Sequence, residues 1–186
     1  LAGTVLKNGV IPEGTADNPT VIELMAFRGA TNANGHAIFH SELETFVVGN
    51  NTILDDLIFV KSKYPTVDFN NFKMYCAEDN TSCITALEKA LTYAQGRGEA
   101  DSSAQVSDYL TTYTKDDNGF YQIDDKLYAN ADLMTKGAPC DDAQNCQDIL
   151  DAVSQGKSFE VGGKYYATLD LFAGTEIGRA SCRERV

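Results

Sequence analysis

The stretch FYQIDDKLYANADLM at 120–134 returns as SFEVGGKYYATLDLF at 158–172, with Lys126, Tyr128, Ala129, Asp132 and Leu133 recurring as Lys164, Tyr166, Ala167, Asp170 and Leu171. Each copy alternates apolar and polar residues, breaks at a short polar turn and alternates again. That is the pattern of a β-hairpin with one buried face. For Tyr121, Ile123, Leu127, Ala129, Ala131 and Leu133 to share the face, the loop at Asp124-Asp125-Lys126 must be odd in length or bulged, and Gly162-Gly163-Lys164 fits the same demand. A hairpin is marginal without more structure around it. The second copy therefore has to dock on its own domain, on further chain or on another molecule.

Residues 176–186, EIGRASCRERV, resemble the translation of a sequencing adapter and are set aside as a non-native tail. Cys182 leaves with them, and what remains is Cys76-x6-Cys83 and Cys140-x5-Cys146, an even set in two close pairs. Three connectivities are open, of which local pairing is the simplest. Zinc ligands usually come two to four residues apart within a pair, and buried free thiols are the plainest alternative. Disulfides are favoured, and with them an oxidising compartment. The sequons at Asn50 and Asn80 agree with secretion and glycosylation, although Thr52 and Ser82 serve equally as helix N-caps. No leader is recognisable at Leu1, where the lack of a methionine fits a leader removed or not captured.

The formal charge of −12 and the absence of basic clusters argue against nucleic acid and anionic membranes as partners. No apolar run approaches the ~20 residues of a membrane span. Along the chain, 1–19 reads as an edge strand or loose arm and 20–27 as a central strand ending in the turn-rich segment 28–35. Helical spacing predicts helices over 36–48 and 53–63, the second started by Thr52 with Asp55 and stopped by Pro65. A strand follows over 66–75, then a helix capped by Ser82 and closed by Gly96, with Ile84, Leu87, Ala90, Leu91 and Ala94 on its apolar face. Val106, Tyr109, Leu110 and Tyr113 mark a further helix, and a last one over 142–155 lies between the hairpins.

The order β-α-β-α-ββ-α over 20–156 resembles the thioredoxin fold, 17–27 resembles the first strand of DsbA-like proteins, and Cys76-x6-Cys83 is spaced like a pair in the lysosomal thiol reductase family. The resemblance implies an α+β domain with a thioredoxin-like core and an additional C-terminal hairpin at 157–175. It also implies, as an alternative function, a divergent thiol-disulfide oxidoreductase. The chain departs from the family where its chemistry lies. The place of the Cys-x-x-Cys motif holds Ala30-Thr31-Asn32-Ala33-Asn34, and Asp117-Asn118-Gly119 stands where a cis-proline precedes the hairpin.

His36 and His40 lie one helical turn apart with Glu44 a turn further, a possible metal site set against a solvated helix face. The general base of a zinc protease is absent, since Ala37 holds its place. Asp116, Asn118 and Gly119 resemble part of a calcium loop, but Thr114 stands at its first ligand position and a plain turn is the simpler reading. No catalytic residue and no cofactor are expected. The reading is a secreted, disulfide-stapled structural or binding domain whose partners are proteins, copies of itself included.

Overall fold

The computed structural model describes residues 8–22, 44–56, 58–61, 64–65 and 67–167. It is a mixed α+β structure whose chain divides into two compact units, 1–111 and 112–175.

In the first unit β1 (Asn8–Ile11) pairs in parallel with β3 (Thr45–Val48), and β3 pairs in parallel with β7 (Lys73–Ala77). The strand between two parallel neighbours is covered on both faces, so it reads as a continuous apolar run rather than an alternation. Phe46, Val47 and Val48 are that run, and all three are fully buried. The helix expected over 36–48 is thus overturned at 45–48, because a short apolar run carries no period that separates strand from helix. The helix expected over 53–63 is overturned as well. β2 (Thr20–Ile22) pairs in parallel with β4 (Thr52–Leu54), and β5 (Val60–Lys61) with β6 (Tyr64–Pro65) in antiparallel fashion. Thr52 caps no helix: its hydroxyl donates to the Asn50 carbonyl at 3.4 Å. Phe59 anchors this region, edge-on to Phe46 at 5.5 Å and to Phe72 at 5.8 Å.

The helix α1 (Thr81–Gly96) follows its expected stripe except at Ile84, which is half-buried, and it buries Leu87, Ala90, Leu91 and Ala94 together with Cys83 and Ala86. The next expected helix shrinks to a 3-10 turn at Val106–Asp108, and the chain continues as β8 (Leu110–Lys115). The run Thr-Thr-Tyr-Thr in β8 is rich in strand-forming residues. Close approach makes two glycines necessary: a Cβ on Gly14 would lie 2.4 Å from the Thr20 nitrogen, and one on Gly49 2.5 Å from the Glu13 nitrogen.

In the second unit β8 pairs antiparallel with β9 (Tyr121–Ile123), and β9 with β10 (Lys126–Tyr128). The short helix α2 (Ala131–Thr135), α3 (Ala143–Ser154) and the hairpin of β11 (Phe159–Val161) and β12 (Lys164–Tyr166) follow. The second hairpin docks within its own unit: Phe159 and Val161 join Phe120, Leu133, Cys146 and Ile149 in one core. Both hairpin loops contain two residues, since Ile123 faces Lys126 and Val161 faces Lys164. The odd loop is therefore corrected. Leu127 shares a face with Gln122, and Tyr121 with Tyr128. Ala131 and Leu133 do not extend the strand either, because the Asn130 side chain accepts from the Leu133 nitrogen at 2.9 Å and starts α2.

The two loops differ in cost. Gly162 and Gly163 take φ of 56° and 75°, whereas Asp124 takes φ of 52° with a side chain attached. A left-handed conformation costs an L-residue roughly 1–2 kcal/mol, less for Asp than for a β-branched residue. Asp124→Gly is expected to be at least as stable as the parent and Asp124→Val less stable by about 1–2 kcal/mol. Urea unfolding midpoints of the three proteins check the order.

Candidate functional site

Both long helices begin the same way. Strand β7 carries Cys76 near its end, the chain turns through Glu78 and Asp79, and Cys83 in the first turn of α1 bonds back to Cys76 with the Cα atoms 6.2 Å apart. Ahead of α3, Cys140 bonds to Cys146 over a Cα separation of 5.3 Å. The local pairing is the one present. In each case an Asx residue inside the disulfide loop caps the helix: Asn80 accepts from the Cys83 nitrogen at 3.3 Å, and Asp142 from the Asn145 nitrogen at 2.8 Å. The cap of α1 is thus Asn80 rather than Ser82, which lies inside the first turn.

Asn80 reaches well beyond its helix. Its amide nitrogen donates to the carbonyls of Thr52 at 3.0 Å and Gly49 at 3.4 Å, and its oxygen lies 2.7 Å from the Ser82 hydroxyl. That hydroxyl also lies 3.1 Å from the Thr52 carbonyl and accepts from the Leu54 nitrogen at 3.1 Å. The start of α1 and the end of the β3–β4 turn are tied in one polar knot beneath an open cleft of about 330 Å3 lined by Thr15, Pro19, Asn51, Ile53, Asp79 and Thr81. The polar groups of the knot satisfy one another, which holds the elements in place. Asn80 is only 9% exposed, while Asn50 is half-buried in the turn and its carbonyl accepts from the Gly14 nitrogen.

Both disulfides lie in buried surroundings: Cys76, Cys83 and Cys146 are fully buried and Cys140 is 8% exposed, the first two in the core of the first unit and the other two in that of the second. His36 and His40 lie outside the described residues. Glu44 is described just before β3, where its carbonyl accepts from the Lys73 nitrogen at 2.8 Å. Among the described residues no group of three or more His, Cys, Asp or Glu side chains is arranged to hold a metal. The calcium-loop resemblance resolves into a turn: Asp116 Oδ1 accepts from the nitrogens of Asn118 and Phe120, and Oδ2 from the Asn118 amide at 3.2 Å. Burial acts to raise the Asp116 pKa, but the donors on Phe120, Asn118 and Gly119 together hold it below the usual value.

Among the described residues one carboxyl is buried. Asp132 in α2 is 4% exposed, its Oδ2 bonds to Lys136 Nζ at 2.6 Å, and its Oδ1 has no partner. Burial raises its pKa from the ordinary 3.8, against the hydrogen bond and charge of Lys136. No signal in the sequence singled this carboxyl out beyond its recurrence as Asp170.

No known protein family, curated protein or solved structure matches the chain.

Two outcomes are expected here. Asn80→Ala should lower stability by about 1–3 kcal/mol, since it removes a cap and leaves buried carbonyls without donors, and in a glycosylating host Asn80 should carry no glycan. Urea unfolding and peptide mapping by mass spectrometry check the two parts. For Asp132 the folded pKa lies above the unfolded one, so the native state holds a proton that the unfolded chain has released. The stability from this group is therefore present below the unfolded value of 3.8 and is lost as pH rises through the raised folded value. Asp132→Asn should flatten that part of the stability profile, measured as denaturation midpoints across the acid range.

Proposed function

We infer that this chain is a secreted, non-catalytic domain for extracellular protein binding or structural assembly, self-association included. The observation that carries the reading is the placement of both disulfides: each is buried, local and wrapped around a helix cap, where it serves structure rather than exchange. Such bonds persist in oxidising compartments, and no helix among the described residues is long and apolar enough to cross a membrane. Tyr165, 79% exposed on the second hairpin, supports the binding part, because an aromatic with a polar tip suits a protein contact.

A thioredoxin-like core belongs to the proposal as its finer fold statement. Parallel strands followed by α1, an antiparallel hairpin and α3 favour it. The strands β3 and β4, where its first helices were expected, count against it. The second reading, a divergent thiol-disulfide oxidoreductase, is favoured by one observation: Cys83 and Cys146 both sit in first helical turns, where the helix dipole stabilises a thiolate. The two readings separate in one assay. Under mild reductant the native protein should keep both disulfides by mass spectrometry and should not reduce insulin; turnover of insulin would reject the binding reading in favour of the enzyme.

A further inference from the structure

The two hairpins match residue for residue, and so do their faces. Tyr121, Ile123 and Tyr128 on one correspond to Phe159, Val161 and Tyr166 on the other; Gln122 and Leu127 on the opposite face correspond to Glu160 and Tyr165. α3 stands between the two hairpins in the chain and touches strands of both, β10 and β11. Leu127 packs on the core that holds Cys146 and Ile149 of α3, and its carbonyl accepts from the nitrogen of Cys140, the residue that opens the disulfide loop. Phe159 and Val161 pack into that same core. The helix thus covers the Leu127 face of the hairpin before it and the Phe159 face of the hairpin after it, the nearest-neighbour stacking of repeat structures.

By the same register the Glu160–Tyr165 face of the second hairpin is where the next such helix would lie, yet Glu160 is exposed and Tyr165 is 79% exposed, its hydroxyl bonded to the Glu160 side chain. One hairpin has its second face under a helix; its twin has that face bare. We propose that the Glu160–Tyr165 face is a docking surface for an amphipathic helix of the α3 kind: a helix started by a short local disulfide, with an Ile, Leu and Val stripe, supplied by a further unit of this repeat. The inference continues an interface that already exists in the second unit, and it rests on the binding role proposed above. The contact would be small, so a single aromatic at its centre carries much of it.

The probe is a synthetic peptide of residues 138–156, closed through Cys140 and Cys146, titrated into the full chain. The protein contains no tryptophan, so Tyr165→Trp places one fluorescent reporter in the face. Saturable quenching or shift of that reporter is expected at or below about millimolar peptide. A peptide with Ile149→Asp should lose at least tenfold in affinity. Unlabelled Tyr165→Lys protein, followed by calorimetry against the parent, should lose at least tenfold as well. No saturable signal overturns the proposal, as does undiminished binding to Tyr165→Lys, which would mean exchange with the resident α3. Self-association that persists in Tyr165→Lys would remove this face while leaving the assembly role standing, and insulin turnover would remove the role itself.

Discussion

At the start of both long helices a cysteine upstream of the first turn is bonded to a cysteine within it, and an Asx side chain between them accepts from a first-turn nitrogen. A helix terminus exposes unsatisfied N–H groups, and forming the first turn is the unfavourable step in making a helix. The bond and the cap act on that same step. A closed loop of this size removes about 2 kcal/mol of chain entropy from the unfolded state, and the cap adds about 1 kcal/mol. Because the staple is local, it fixes how each helix begins but not what the helix packs against.

The packing is decided differently in the two units. In the first, β3 is central and α1 approaches with alanines on its buried side, which lets backbones come close. The Asn80 knot then fixes the angle by tying the cap to the carbonyls of Gly49 and Thr52, some thirty residues earlier. In the second, α3 lies against two hairpins, and its disulfide loop is tied to the first of them by the Cys140 nitrogen, which donates to the Leu127 carbonyl at 2.8 Å. On the second hairpin Phe159 stacks on Tyr166 at 5.8 Å, and Lys136, bonded to the buried Asp132, lies 5.9 Å from the Tyr166 ring. That chain of contacts connects α2 with the second hairpin through a carboxyl whose ionisation is opposed by burial.

α1 and α3 were legible because a 3.6-residue stripe persists over several turns and ends at a glycine or small polar residue. Both hairpins were legible from a period of two, and the local cysteine pairing from spacing. The strands at Thr45–Val48 and Thr52–Leu54 were not, since three or four apolar residues fit a buried strand and one helical turn equally. The hairpin register failed on a single count: grouping Leu127 with Tyr121 demanded an extra loop residue, when the cross-strand partner of Tyr121 is Tyr128. Of the polar knot, the cap was placed two residues late, at Ser82, and its reach to the β3–β4 turn was invisible because its acceptors are backbone carbonyls.

The sequence by itself determined the bodies of α1 and α3 and where the two hairpins fold, and it made local pairing the simplest of the cysteine connectivities, because each depends on residues within a few positions of one another. Only the tertiary structure decided the parallel partners of β3, the grip of Asn80 on Gly49 and Thr52, and which face of each hairpin is covered. Those contacts join backbone groups that every residue carries, or faces whose burial depends on what stands opposite. Leu127 and Tyr165 occupy the same position in the same motif, yet Leu127 packs on the core that holds α3 while Tyr165 is exposed.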